Sequence, residues 1–428
     1  MRSLNISFTS NLRLIHIMLS KELFKVQRTY INRVETKKTK RPFVHKYEIG
    51  DLKTTDIYEF TEDLQKQRTK VTYKGTSSIE DEMNDLTTKS TYTTYNRKYP
   101  SFNGKPCEHI AFLKIHKAAS STAQNIFFRY GYTRKLTFVL PKVTKNGYPN
   151  VISTITSVKS KNIIPPPINK HYDILCCHVI YNRKAFEAIM PKDTAYIGIV
   201  REPSEHIRSI IQYFRPKEIY KRFNSTNPIS HFFKNPGSSA KSIYSLVNNR
   251  MAFEYNFPRR LFYTKDSDGI KRYLRKLASE FHLVIVVEYF DESVVLMRRI
   301  LNWSIKDILY VTQNESRKEK KTKLSLEDKR NHREWAILEY ALYDFFYKRL
   351  WDQIKQEGDD FIEELAFFKS LRKEVTEFCR GPRTKNTNFE IPKSQWSDKF
   401  IVNNYDCQLL FKRELSFVMS IRREQYGF

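Results

Sequence analysis

Two stretches of this chain hold residue types that can grip an anion and move a proton. In the first, Lys114, His116 and Lys117 are followed by Ala118, Ala119, Ser120, Ser121 and Thr122, so three cationic or ionisable groups meet a run of small and hydroxyl residues. Backbone amides, hydroxyls and a helix start at such a run converge on a site for phosphate or sulfate. In the second, Arg201 follows an apolar run and Ser209 comes eight residues later. A guanidinium there offers two parallel donors, and the serine adds a hydroxyl. His116 is suited to accept a proton near neutral pH, and Lys117 to neutralise charge on a leaving group. His178, at the end of another apolar run, is the competing base.

These residues need elements to aim them. Residues 109–130 read as strand, loop and helix: an apolar run, the small polar loop, then Ala123, Ile126, Phe127 and Tyr130 at helical spacing. Residues 194–200, TAYIGIV, read as a central parallel strand because they are apolar and β-branched, and a helical pattern runs on to Phe214. Residues 136–141 and 173–178 read as further strands, and residues 283–287 as another, with Glu288 at its carboxyl end and Asp291 capping the next helix. Trp335, Leu338, Leu342, Phe345 and Phe346 trace one face of a helix from Leu326. The phosphate loop is not a Walker A loop: it lacks glycine, and its lysine precedes the small residues. That argues against a P-loop kinase.

The run FLKIHKAASSTAQNIFFRYG resembles the corresponding segment of the galactose-3-O-sulfotransferases. Lysine before small and hydroxyl residues after a first strand is similar to the loop that sulfotransferases place around the 5'-phosphosulfate of 3'-phosphoadenosine-5'-phosphosulfate (PAPS). Arg201 with Ser209 resembles their 3'-phosphate site. Cys176 and His178 match a family segment in which asparagine stands where this chain has Cys177, and Glu202 replaces the usual asparagine or aspartate. Residues 248–255 resemble another family segment, which makes an acceptor-side role worth testing, and residues 281–304 also match. The resemblance covers about residues 108–356. It implies an α/β fold with a central, mainly parallel sheet and a P-loop-like nucleotide site. Lys114, Lys117, Ala118, Ala119, Ser120, Ser121, Thr122, Arg201 and Ser209 would hold PAPS or its product PAP, and His116, Lys117 and His178 would carry the chemistry. The expected reaction is sulfuryl transfer to the 3-hydroxyl of a terminal β-galactose on galactosylceramide or a related glycan. No metal is expected, because no ligand cluster stands out and cationic side chains can balance the donor's charge.

The 428 residues carry a net charge of +28, which calls for an anionic partner without naming it. No zinc-finger spacing, RNA-recognition signature or repeat is visible, so nucleic acid rests on charge alone. A non-catalytic basic binding protein derived from a sulfotransferase is the alternative. Cys107, Cys176, Cys177, Cys379 and Cys407 form no zinc site and no regular disulfide pattern. Sequons at Asn5, Asn224, Asn302 and Asn314 fit a lumenal protein. The family's Golgi membrane location is expected by resemblance, although residues 12–19 fall short of a membrane anchor. Residues 1–105 read as a polar stem, 106–356 as the sulfotransferase domain and 357–428 as a partly helical extension without an interpretable motif.

Overall fold

A computed structural model describes residues 104–142, 148–220, 226–312, 323–381 and 388–427. The stem expected over residues 1–105, the apolar stretch 12–19 and the sequons at Asn5, Asn224 and Asn314 thus lie outside the described residues, apart from residues 104 and 105.

The fold is mixed α/β around a parallel sheet of four strands in the order β2-β1-β3-β4. These are β1 (Ile110–Phe112), β2 (Ile174–Leu175), β3 (Ala195–Val200) and β4 (Leu283–Val286). All their residues are buried, as expected for strands covered on both faces. The longest strand, β3, lies between β1 and β4, pairing Phe112 with Ile197 on one side and Val200 with Val286 on the other. Gly198 is required in it, because a β-carbon there would collide with the Tyr255 hydroxyl. That hydroxyl donates to the Ile199 carbonyl at 3.2 Å.

Helix α1 (Ser120–Thr133) follows β1, and α2 (Pro203–Phe214) follows β3. Proline at the first position and the Glu202 side chain accepting from Glu205 N–H start α2. Helix α3 (Ser267–Glu280) leads into β4, and α4 (Phe290–Leu301) leaves it. Helices α5 (Ile337–Lys355) and α6 (Asp360–Arg380) follow. After an antiparallel hairpin of β5 (Asn388–Ile391) and β6 (Phe400–Asn403), α7 (Asn404–Phe411) and α8 (Glu414–Tyr426) pack on α1. Phe417 of α8 lies 5.1 Å from Phe128 of α1, ring to ring, and Asn125 donates to the Leu409 carbonyl at 3.0 Å. A disulfide joins Cys379 of α6 to Cys407 of α7.

Four expectations change. Residues 136–141 make only isolated bridges, Phe138 to Ile174 and Pro141 to Ile163, since proline has no N–H to extend a ladder. The 173–178 run forms a strand only over Ile174–Leu175, with a further isolated bridge from His178 to Val151. Asp291 is not a cap: a 3₁₀ turn, Val287–Tyr289, places it in the first turn of α4, where it accepts from Tyr310 Oη at 2.8 Å and pairs with Arg372 at 3.0 Å. The helix expected from Leu326 breaks at Ala336 into Leu326–Trp335 and α5. Leu338, Leu342 and Phe346 remain on the buried face of α5.

Candidate active site

The carboxyl ends of β1, β3 and β4 converge, and the chemistry-bearing loops lie there, where open α/β sheets collect ligands. The chain leaves β1 through residues 113–119. Lys117 and Ala119 adopt left-handed backbone with φ of 58° and 50°. Each costs about 1–2 kcal/mol for an L-residue with a side chain, so the surrounding contacts must hold the loop. The Ser120 hydroxyl donates to the Ile115 carbonyl at 2.5 Å, and Thr122 N–H to the Ala119 carbonyl at 3.0 Å. His206 Nε2 donates to the His116 carbonyl at 2.8 Å, and Arg201 Nη1 to the Lys117 carbonyl at 2.9 Å. Both pinning donors come from the segment that follows β3, which ties the two sequence motifs together.

Lys117 and Arg201 are brought side by side. The Lys117 ammonium lies 3.8 Å from the centroid of the Tyr213 ring, and partial burial together with the Arg201 charge lowers its pKa. Burial also lowers the pKa of Arg201, with Arg208 adding to the effect, against the opposing charges of Glu288 and Glu202. Its Nε is buried with no hydrogen-bond partner among the described residues. Glu205, Ser209 and Tyr213 follow at four-residue steps on α2, so Ser209 shares their face. Arg201 is 3.8 Å from Glu205, and Lys117 covers Tyr213, which places Ser209 on the helix face flanked by the two cations. Glu288 accepts the Glu202 N–H at 3.1 Å, a hydrogen-bonding carboxylate that holds this turn.

His116 sits at the inner end of the loop. Its Nδ1 faces a carboxylate oxygen of Glu254, its backbone N–H donates to the other at 2.9 Å, and its ring stacks on His178 with centroids 3.8 Å apart. Because a carboxylate only accepts, Nδ1 carries a proton, which leaves Nε2 as the ring nitrogen for proton exchange. Glu254 is buried, which opposes its charge, yet His116 and Arg250 hold its pKa down at about 2. Arg250 Nε donates to it at 2.9 Å. His178 differs: its Nδ1 donates to the Lys114 carbonyl at 3.0 Å, and burial together with the His116 charge pushes its pKa well below 6.5. That burial makes it a weak proton acceptor.

Lys114 lies under the loop, buried and already paired. It donates to Gln124 Oε1 at 2.6 Å and forms an ion pair with Glu414 at the start of α8. Glu414 also accepts from Ser121 Oγ at 2.9 Å and Asn150 Nδ2 at 2.6 Å. Burial opposes its charge, and Lys114 prevails, lowering its pKa. Ala118 is buried beside these groups, while Ala119 is half exposed.

Glu254, His206 and Glu414 were not singled out from the sequence. Glu254 had a signal, since it falls in the 248–255 segment four residues after an arginine. His206 and Glu414 carried none, being brought in by the sheet and by a distant helix. Away from this site, His109, His171 and Asp173 form a cluster that the sequence did not reveal.

A family model for galactose-3-O-sulfotransferase matches residues 74–391, beginning before and ending after the 106–356 stretch. Galactose-3-O-sulfotransferase 2 of Mus musculus is 29% identical over 292 residues, 66% of this chain and 72% of the relative. Galactose-3-O-sulfotransferase 3 of Mus musculus is 28% identical over 312 residues, 69% of this chain and 70% of the relative. Galactosylceramide sulfotransferase of Mus musculus is 26% identical over 283 residues, 64% of each chain. With the family model spanning most of its length, and a parallel sheet presenting both motif loops at one end, this chain belongs to the galactose-3-O-sulfotransferase family.

Proposed function

We propose that this chain transfers a sulfuryl group from PAPS to the 3-hydroxyl of a terminal β-galactose on galactosylceramide or a related glycolipid or glycoprotein glycan. The observation that carries the reading is the meeting of Lys117 and Arg201, two partly desolvated cations, next to the His116–Glu254 pair. Like charges held together out of water are stabilised by an anion between them. Arg201 and Ser209 take the donor's 3'-phosphate, and Lys117 with the amides and hydroxyls of residues 118–122 takes the phosphosulfate. Lys114 enters as the buried cation beneath the loop, whose present counter-charge is Glu414.

In the reaction the galactose 3-oxygen forms a bond to sulfur while the bond from sulfur to the bridging oxygen of PAP breaks. His116 Nε2 takes the hydroxyl proton, Glu254 stabilises the resulting imidazolium, and Lys117 stabilises charge on the bridging oxygen. Acceptor identity, a lumenal Golgi setting and the 106–356 catalytic domain belong to the same reading and are supported by family membership. Among the described residues no helix is long and apolar enough to cross a membrane. Glycosidase-sensitive mobility after expression in animal cells would mark the lumenal setting; unchanged mobility with a cytosolic distribution would refute it.

The test is incubation of the purified chain with sulfur-labelled PAPS and a panel of galactosides, including 3-deoxygalactosides. Label should reach acceptors with a free 3-hydroxyl and no 3-deoxy analogue. Transfer from ATP, or nucleotide binding without turnover on any galactoside, would overturn the assignment.

A further inference from the structure

The opposite end of the sheet holds a second cluster with its own chemistry. His109 immediately precedes β1, Asp173 immediately precedes β2, and Asp193 lies just before β3, so the amino ends of three parallel strands bring them together. His171 reaches the same point from the proline-punctuated connection that leads into β2. The Ala195 N–H donates to the His109 carbonyl and the Ile110 N–H to the Asp173 carbonyl, at 2.8 and 2.7 Å, which fixes the backbone under two of these side chains.

Three ligand atoms converge there. His109 Nε2 and His171 Nε2 are 3.3 Å apart, His171 Nε2 and Asp173 Oδ1 are 2.9 Å apart, and His109 Nε2 and Asp173 Oδ1 are 3.5 Å apart. A tetrahedral ion with bonds of about 2.0–2.1 Å to its ligands has ligand–ligand edges of about 3.3–3.4 Å. The cluster's three edges of 2.9, 3.3 and 3.5 Å bracket that spacing, and the two imidazole rings meet edge-on at 73° with centroids 5.2 Å apart.

The outer contacts select the same state. His109 Nδ1 is 2.7 Å from Asp193 Oδ1, so the proton sits on Nδ1 and the Nε2 lone pair faces the centre. Asp173 Oδ2 accepts the Thr137 N–H at 2.6 Å, which leaves Oδ1 to point inward. A carboxylate behind one histidine and a backbone donor behind the carboxylate ligand are the arrangement that orients and strengthens metal ligands.

We propose that His109, His171 and Asp173 bind a divalent transition-metal ion of zinc type, oriented by Asp193, at the end of the sheet away from the sulfuryl-transfer loops. Two imidazoles and one carboxylate suit zinc and not calcium or magnesium, which take oxygen-rich sets. Water completes the coordination through the exposed side of His171. The ion clamps the connection into β2 onto the amino ends of β1 and β2, a structural role separate from the reaction.

The experiment uses the full chain without a polyhistidine tag, stripped with chelator and titrated calorimetrically with zinc chloride. Cobalt chloride in a parallel titration gives a visible ligand-field spectrum. One zinc per chain should bind, cobalt should show the intense bands of a low-coordinate site, and zinc should raise the thermal midpoint. His171→Ala changes an exposed side chain and should abolish the cobalt bands and the thermal shift while retaining wild-type sulfuryl transfer. Asp193→Ala should weaken zinc binding about 10- to 100-fold, as removal of an outer partner does. Zinc binding by His171→Ala equal to wild type, or no saturable binding by the wild-type chain, would overturn the proposal.

Discussion

Replacing Glu254 by glutamine tests the central pair, because it keeps the shape and removes the charge. The Glu254 carboxyl is moved from an ordinary 4.5 to about 2 despite burial. At 1.36 kcal/mol per pKa unit the net preference for the ionised form is about 3 kcal/mol, supplied first by His116 and then by Arg250. If His116 becomes an imidazolium in the transition state, Glu254→Gln removes the carboxylate charge that stabilises it, so turnover should fall about 10- to 100-fold. PAP affinity, which the proposed function assigns to Lys117 and Arg201, should stay near wild type.

The same substitution carries a stability signature. A depressed folded-state pKa contributes stability above about pH 4.5 that disappears as pH falls towards 2. Wild-type stability should therefore decline through that window more steeply than that of Glu254→Gln. The variant should already be less stable at neutral pH, because Arg250, itself buried, loses its counter-charge. Turnover is measured with labelled PAPS and a saturating galactoside, folding by circular dichroism and PAP affinity by calorimetry. A folded variant with turnover within about twofold of wild type would refute the role given to Glu254.

Arg201→Ala should weaken PAP binding by about 2 kcal/mol or more and leave adenosine 5'-phosphosulfate binding nearly unchanged; equal losses in calorimetry would reject the 3'-phosphate assignment. His116→Ala should cut turnover about 100-fold or more with PAP affinity intact, whereas Lys117→Ala should lose turnover and donor binding together; near-normal turnover in His116→Ala would move the base to His178. Glu414→Ala strands the buried Lys114 and should cost about 3–5 kcal/mol in denaturant unfolding, and a loss under about 1 kcal/mol would show that Lys114 finds another partner. Gly198→Ala forces a methyl against the Tyr255 hydroxyl and should cost about 1–3 kcal/mol, with an unchanged thermal midpoint as the contrary result.

The sequence by itself determined the parts of this protein that rest on local pattern. The β1 loop and the β3–arginine–helix unit were legible because their apolar runs, small residues and helical spacing are contiguous, and the structure builds β1, α1, β3 and α2 where they fall. Weaker pairing was not legible: residues 136–141 are apolar like a strand, but they pair only through isolated bridges at Phe138 and Pro141. Capping was misread at Asp291 because a preceding 3₁₀ turn shifts the start of α4, which spacing alone does not encode.

Only the tertiary structure decided who serves whom. Glu254 reaches His116 across 138 residues, and Glu414 reaches Lys114 across 300, distances at which no periodicity carries information. From the chain, His116 was the favoured base and His178 its competitor. Burial, with the neighbouring His116 and Lys114 adding to it, holds His178 neutral against the hydrogen bond from its Nδ1 to a backbone carbonyl, while a buried carboxylate stands behind His116. The His109, His171 and Asp173 cluster has the same origin, since strands far apart in sequence start side by side in a parallel sheet. Residue types and local spacing state which chemistry is available; the folded core, by fixing burial and long-range partners, sets the charge and direction of each group.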